Sequence, residues 1–500
     1  MPTRSLRALL FSRAVIASGA ASAPARRRTC VGRCRRGVSA TRVASASARD
    51  GDDVVAAATG EKTLFESSSR SVAPRSAYVH LPFCRSRCFY CDFAISVVGG
   101  RGSESPSVRE GMERYARAVE REARETAARA RRNASSSTDA STATTPLETV
   151  FFGGGTPSLV PADVLGSILR VLREEFGFAR DVEISAEMDP GTFDEDKLRA
   201  FLDLGVNRVS LGVQSFDESV LRAAGRSHGV EDVEAAIELM RKCRVPSWSV
   251  DLISGLPGAD ADSWTRSLRR AIDSGAHHVS VYDLQVEQGT AFYRWYGEDD
   301  GGRSETPANG RQPLPDEDAS ASMFREASAT LRDAGYEHYE VSSYAKPGSR
   351  CKHNQIYWEN GSWYGFGMSA TSHVNGERVA RPRKMDEYYA YVDALTGSDA
   401  SASTASGAIV TGGDGSDALF EHIMLRLRTS DGLNFNAMES RFGRVVVDEI
   451  REAAAAFSPE YATDDGKTLR LTDPEGFLMS TEILSTLIAK MPSLADEDGE

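Results

Sequence analysis

Short apolar runs recur through the middle of the chain, each followed by a longer amphipathic stretch. Tyr78–Leu81, Thr149–Phe152, Val182–Met188, Asn207–Val213, Ser247–Ile253 and His278–Val286 read as six strands. Val108–Arg131, Pro161–Phe176, Glu195–Leu204, a helical region reaching Cys243, and Asp262–Ser274 read as the helices between and after them. Strands that alternate with helices predict a parallel sheet with crossover connections. Spacing alone fits both an open doubly wound sheet and a barrel. These units span residues 76–296, interrupted by the low-complexity stretch Asn133–Pro146. Residues 297–318 read as a polar insertion, 319–395 as an extension opening on the helix Ala319–Ala334, and 396–417 as a Ser/Ala/Gly spacer. Residues 418–500 read as a small helical unit with a β wing.

Composition separates the first fifty residues from the rest. They hold eleven arginines, no lysine and one acid, a net charge of +10, whereas the whole chain carries −13. Residues after 50 therefore carry −23, which argues against non-specific nucleic-acid binding. Arg, Ala and Ser without acids resemble an organellar transit peptide over residues 1–50, with the chloroplast favoured slightly over the mitochondrion. A basic nucleic-acid-binding arm is the plainer alternative. Residues 51–75 read as a disordered lead-in. The remainder, 41% hydrophobic over the full 500 residues, reads as a soluble globular chain. It has no apolar run long enough for a transmembrane helix. Peripheral membrane association and a dimer both remain compatible with it.

The candidate chemistry starts in AYVHLPFCRSRCFYCDF, Ala77–Phe93. Cys84, Cys88 and Cys91 follow the first strand in a CxxxCxxC run, and three thiolates on one loop supply three corners of a metal site. Position 93 is Phe93 and the next cysteine is Cys243, so a fourth ligand comes from elsewhere. A structural zinc site, with His80 as a fourth ligand, is the rival reading. Further candidates fall at strand ends. Gly153–Ser158 is a glycine-rich turn, Glu187 lies in the third strand, Gln214 follows the fourth, Asp251 lies in the fifth and Gln285 in the sixth. Downstream, His353 stands two residues after Cys351 and just before Asn354, Tyr357 and Trp358. A histidine offers axial ligation to haem iron and flat aromatics offer apolar area to a porphyrin. Ordinary core packing accounts for the same residues.

The CxxxCxxC run, with Tyr90 before its last cysteine, resembles the radical S-adenosylmethionine (SAM) superfamily. The flanks YVHLPFC and CDF resemble its branch of oxygen-independent coproporphyrinogen III oxidases and HemW-type haem chaperones. The resemblance implies an α/β fold, a partial (β/α)6 barrel with a small C-terminal winged-helix-like domain. It implies a [4Fe-4S] cluster on Cys84, Cys88 and Cys91. It implies SAM contacts at Tyr78, Tyr90, Gly155, Thr156, Glu187, Gln214, Arg226, Asp251 and Gln285, with His80 in the same set. His353, Asn354, Tyr357 and Trp358 form an HNxxYW pattern similar to the haem-associated motif of the chaperones, with Cys351 as the other candidate ligand. The implied partners are haem as cargo, a haem-acceptor protein, and a reduced electron donor such as ferredoxin or flavodoxin. The oxidases resemble CxxxCxxCxC, and Phe93 departs from that pattern toward the chaperones. The alternative reading is therefore SAM-dependent oxidative decarboxylation of coproporphyrinogen III, and a zinc-stabilised scaffold without catalysis is the third.

Overall fold

The structure is a computed structural model that describes residues 73–100, 105–136, 145–297, 310–396, 409–412 and 415–492. The expected leader, nearly all of the lead-in, and much of each low-complexity stretch lie outside the described residues.

Nine strands form the central sheet: β1 (Ser76–Leu81), β2 (Leu147–Gly154), β3 (Phe178–Met188), β4 (Arg208–Gln214), β5 (Ser247–Ser254), β6 (His278–Asp283), β7 (Glu337–Glu340), β8 (Ser343–Ala345) and β9 (Tyr364–Phe366). Their order is β9-β1-β2-β3-β4-β5-β6-β8-β7. The first six are parallel and adjacent in chain order. A doubly wound sheet reverses its strand order part-way, and this one does not. Uniform right-handed crossovers put every helix on one face, and the sheet curls into a partial barrel. β9 adds in parallel to the open edge of β1, while β8 runs antiparallel to β6 and β7.

Along each parallel strand the side chains alternate in chemistry between the two faces. Val79, Val150, Ile184, Val209, Val250 and Val279 belong to the core packed against the helices. The intervening positions, Ser76, Thr149, Ser185, Ser210, Ser249, Asp251 and Ser280, put hydroxyls and carboxylates on the inner face. Several of the helices between the strands start on acidic caps, with Asp194 accepting from the Lys197 N–H and Asp260 from the Ser263 N–H.

Two segments read as unstructured carry structure. Ile409–Gly412, inside the expected spacer, pairs antiparallel with Glu377–Ala380. The end of the polar insertion folds back: Pro313 O accepts from the Gly258 N–H at 2.9 Å and Leu314 is buried. The C-terminal unit has its own core, built on Leu419, Ile423, Met438, Ile450 and Leu484, and a three-stranded antiparallel wing. It sits at the end of the barrel where the strands begin, with the Val341 N–H on Arg428 O (3.0 Å) and the Ser430 N–H on Tyr339 O (2.9 Å).

Candidate functional site

The cysteine loop leaves β1 at the mouth where the parallel strands end. Cys84, Cys88 and Cys91 are all part-exposed, and Cys88 and Cys91 share a turn, with the Cys91 N–H 3.3 Å from Cys88 O. Burial pushes the Cys84 thiol up to about 11 and the Cys91 thiol up to about 12, so without a metal both stay protonated. No three His, Cys, Asp or Glu side chains converge on a metal-binding geometry among the described residues. The donor set nonetheless fits an iron–sulfur cluster better than zinc. It is three thiols with no fourth cysteine, and His80 is spent elsewhere. The His80 Nε2 is 2.9 Å from Ala94 O and its Nδ1 is 3.1 Å from the Tyr78 hydroxyl. Burial pushes its pKa down to about 4.

The glycine turn supports this loop from below. The Gly155 N–H donates to Leu81 O (2.9 Å), the Thr156 N–H to Phe83 O (2.7 Å), and the Thr156 hydroxyl to Cys84 Sγ (3.5 Å). The Gly154 N–H donates to Glu187 Oε2 at 3.0 Å. Packing against the cysteine loop thus uses the Gly155 and Thr156 amides. Glycine is required for that packing. A Cβ on Gly155 would lie 2.6 Å from Pro82 C, and one on Gly154, at φ +109°, would run into the His80 ring.

Arg226 ties three of the candidates together. One terminal nitrogen donates to the Tyr90 hydroxyl (3.0 Å) and to Cys88 Sγ (3.4 Å), and the other pairs with Asp189 and with Gly212 O (3.1 Å). The His228 Nδ1 also lies 3.3 Å from Asp189. Arg226 and His228 hold the Asp189 carboxyl below its usual range despite burial. Asp189 falls among the strand-end candidates of the sequence, without an assigned role, whereas His228 is not singled out there. The signals for them are the strand-end place of Asp189 and the position of His228 two residues after Arg226.

Glu187 and Asp251 lie on the inner face. Burial, with Asp251 adding to it, pushes the Glu187 carboxyl up to about 8. Asp251 is met by hydroxyls, with Ser210 donating at 2.6 Å and Ser249 at 3.2 Å. Gln214 ends β4 with φ +68°, and Gln285 lies past the end of β6, donating to Asp283 at 3.2 Å.

The HNxxYW residues stand apart from this cluster. They form the helix Lys352–Trp358, which plugs the barrel floor. The His353 Nδ1 lies 3.0 Å from the Ser76 hydroxyl and 2.8 Å from that of Thr149, and its Nε2 lies 2.8 Å from the Tyr357 hydroxyl. The ring stacks on Phe151 at 5.1 Å, and burial pushes its pKa down to about 3. Tyr357 packs edge-on against Trp363, and Trp358 is buried with Val341 and Leu425. Tyr357 and Trp358 are thus both buried, Trp358 against Leu425 of the C-terminal unit. Cys351 caps the helix beside Glu183, buried, with its thiol pushed up to about 12. Asn354 is part-exposed on the same helix.

Comparison with known proteins agrees with this geometry. The Radical SAM superfamily matches residues 78–271 and the HemN C-terminal domain matches 414–478. The chain is 37% identical over 437 residues to the heme chaperone HemW of Synechocystis, covering 84% of this chain and 97% of that one. It is 33% identical over 304 residues to the mouse radical S-adenosyl methionine domain-containing protein 1, mitochondrial, covering 61% and 62%. The solved Escherichia coli coproporphyrinogen III oxidase, HemN, shares the fold, with a TM-score of 0.65 over 83% of this chain and 90% of that one at 22% identity. With the strand order, the cysteine loop and a match that spans nearly the full length of a curated relative, the chain belongs to the HemW family of the radical SAM superfamily.

Proposed function

We propose that this protein is a haem chaperone, which binds haem and delivers it to an acceptor protein. The observation that carries the reading is the near full-length identity to a heme chaperone, joined to Phe93 at the place where the oxidases resemble a further cysteine. Likeness to the E. coli oxidase, at 22% identity, supports the fold alone.

Cys84, Cys88 and Cys91 would hold a [4Fe-4S] cluster. Tyr78, Tyr90, Gly155, Thr156, Glu187, Gln214, Arg226, Asp251 and Gln285 would surround SAM. When bound, these two cofactors supply one-electron cleavage of a C–S bond. The protein's own part is positional. Arg226 offers two terminal nitrogens that suit a carboxylate once Asp189 yields. Glu187 keeps or gives up a proton at the inner face, and the buried strand ends exclude water. Arg85, Arg87 and Arg383 lie along the cysteine loop, Arg87 bonding Phe93 O and Arg383 bonding Asp92 O. That positive rim supports an acidic electron donor such as ferredoxin or flavodoxin.

Haem would be held at the HNxxYW helix. Both ring nitrogens of His353 are engaged on the barrel floor, so ligation by His353 requires the plug helix to leave it. Cys351 is the alternative ligand under the same condition. The composition of residues 1–50 supports an organellar destination, with the chloroplast favoured slightly.

The test combines two assays on anaerobically reconstituted protein. Haem binding without SAM is expected, along with about four irons per chain that are lost in Cys84→Ser, Cys88→Ser and Cys91→Ser. Conversion of coproporphyrinogen III in the presence of SAM and reductant would overturn the chaperone reading. Stoichiometric zinc without iron would overturn the cluster.

A further inference from the structure

A cleft of about 240 Å³ lies between two helices on the outer wall of the barrel. The long helix Pro106–Ser136 forms one side and the helix Met385–Thr396 the other. Its lining includes Arg114, Arg117, Arg121, Tyr389, Val392 and Asp393.

The arginines of the long helix fall into two groups. Arg109 pairs with Glu113 and Asp163, Arg121 with Asp393, Arg124 with Glu120, Arg129 and Arg132 with Glu125, and Arg131 with Glu175. Arg114 and Arg117 alone have no carboxylate within ion-pair distance among the described residues. They are one helical turn apart on the same face, about 5–6 Å between Cβ atoms. The Arg114 guanidinium lies 4.2 Å above the Tyr389 ring, which holds it at the cleft wall. Asp393, the acid in the lining, is engaged by Arg121 at 2.9 Å, and Arg121 is further tied to the Thr396 hydroxyl at 2.6 Å.

A solvated charged face would mix signs, as the rest of this helix does. Here two exposed arginines line a concave site whose apolar part is Ala118 and Val392, in a polypeptide whose residues after 50 carry −23. Guanidinium forks match oxyanions in a bidentate way.

We propose that this cleft is a binding site for a dianionic ligand that presents phosphate or carboxylate oxygens to Arg114 and Arg117. Two sources share that chemistry, a pyrophosphate-like group and the paired propionates of a porphyrin. The propionate source rests on the proposed haem reading, whereas the phosphate source does not.

The test is calorimetric titration of the full chain with inorganic pyrophosphate at low salt, using wild type, R114Q/R117Q and the control R124Q. Saturable binding that weakens at least tenfold in R114Q/R117Q and holds in R124Q, with unchanged circular dichroism, is expected. Absence of saturable binding, or equal weakening in R124Q, would overturn the site. A second arm titrates haem and its dimethyl ester. Loss of haem affinity in R114Q/R117Q with unchanged ester affinity assigns the site to propionates. Unchanged haem affinity alongside lost pyrophosphate binding assigns it to phosphate.

Discussion

The His353 Nε2 lies 2.8 Å from the hydroxyl of Tyr357, one turn further along the same helix. With Nδ1 on Ser76 and Thr149, this contact locks the HNxxYW helix onto the barrel floor. From there a column of rings runs inward, His353 on Phe151 at 5.1 Å and Phe151 on Tyr78 at 6.2 Å. Tyr78 meets His80, which lies beneath the cysteine loop. The chaperone-like motif and the cluster loop are thus opposite ends of one packed interior.

Replacing His353 with Ala should therefore cost stability first. It strands the Tyr357 hydroxyl, while Ser76 and Thr149 keep each other, and leaves a cavity, a loss of about 2–4 kcal/mol. Denaturant unfolding measures it. Haem titration of a floor variant that keeps the histidine, Ser76→Ala with Thr149→Val, separates ligation from packing. If His353 ligates haem after release, that variant binds haem at least as well as wild type while H353A does not.

Glu187 sets a pH dependence. Its carboxyl is held up to about 8 by burial, against about 4.3 in an unfolded chain. Between those values the native state keeps a proton that the unfolded state releases, so stability falls as pH rises through the window and levels off above it. E187Q removes the proton from this balance. The difference in Tm between E187Q and wild type should grow from pH 5 to pH 8 and then flatten; a difference independent of pH would contradict the assignment.

Gly154→Ala should disrupt the cysteine loop without touching a cysteine. Its Cβ meets the His80 ring, and φ +109° is unfavourable for any side chain. Iron content after reconstitution should drop well below that of wild type, whereas Gly111→Ala, with open space around its Cβ, should leave it unchanged.

Glu122 and Arg381 form a buried ion pair at 2.8 Å. Glu122 also accepts from the Gly367 N–H (2.9 Å) and the Tyr388 hydroxyl (2.8 Å). Removing one charge leaves the other buried, so Glu122→Gln should destabilise by about 3–5 kcal/mol. Because Gly367 follows β9, proteolysis after the 361–370 segment should accelerate in that variant; unchanged protection would show that β9 holds without Glu122.

Local pattern was enough for much of this. The six parallel strands and their helices were legible because alternation and amphipathic period are local properties. CxxxCxxC, Phe93 and HNxxYW were legible because they are contiguous. Strand β9 was not, since three residues carry no periodic signal and their pairing with β1 joins Tyr364 to Ala77. Strand Ile409–Gly412 was hidden in the same way inside a biased segment.

Among the site residues, the sequence by itself determined which side chains can carry the chemistry and at which strand ends they fall. Only the tertiary structure decided how they are engaged. It placed Arg226 between Tyr90 and Asp189, surrounded Asp251 with serine hydroxyls, spent the Gly155 amide on the cysteine loop, and buried His353 in the floor instead of at the cluster's mouth. Among the described residues it also left Arg114 and Arg117 without a carboxylate partner on a helix where the other arginines have one. The physical reason is the same in each case. Burial and hydrogen-bond competition depend on partners far away in sequence, and Ser76, which holds His353, lies 277 residues before it.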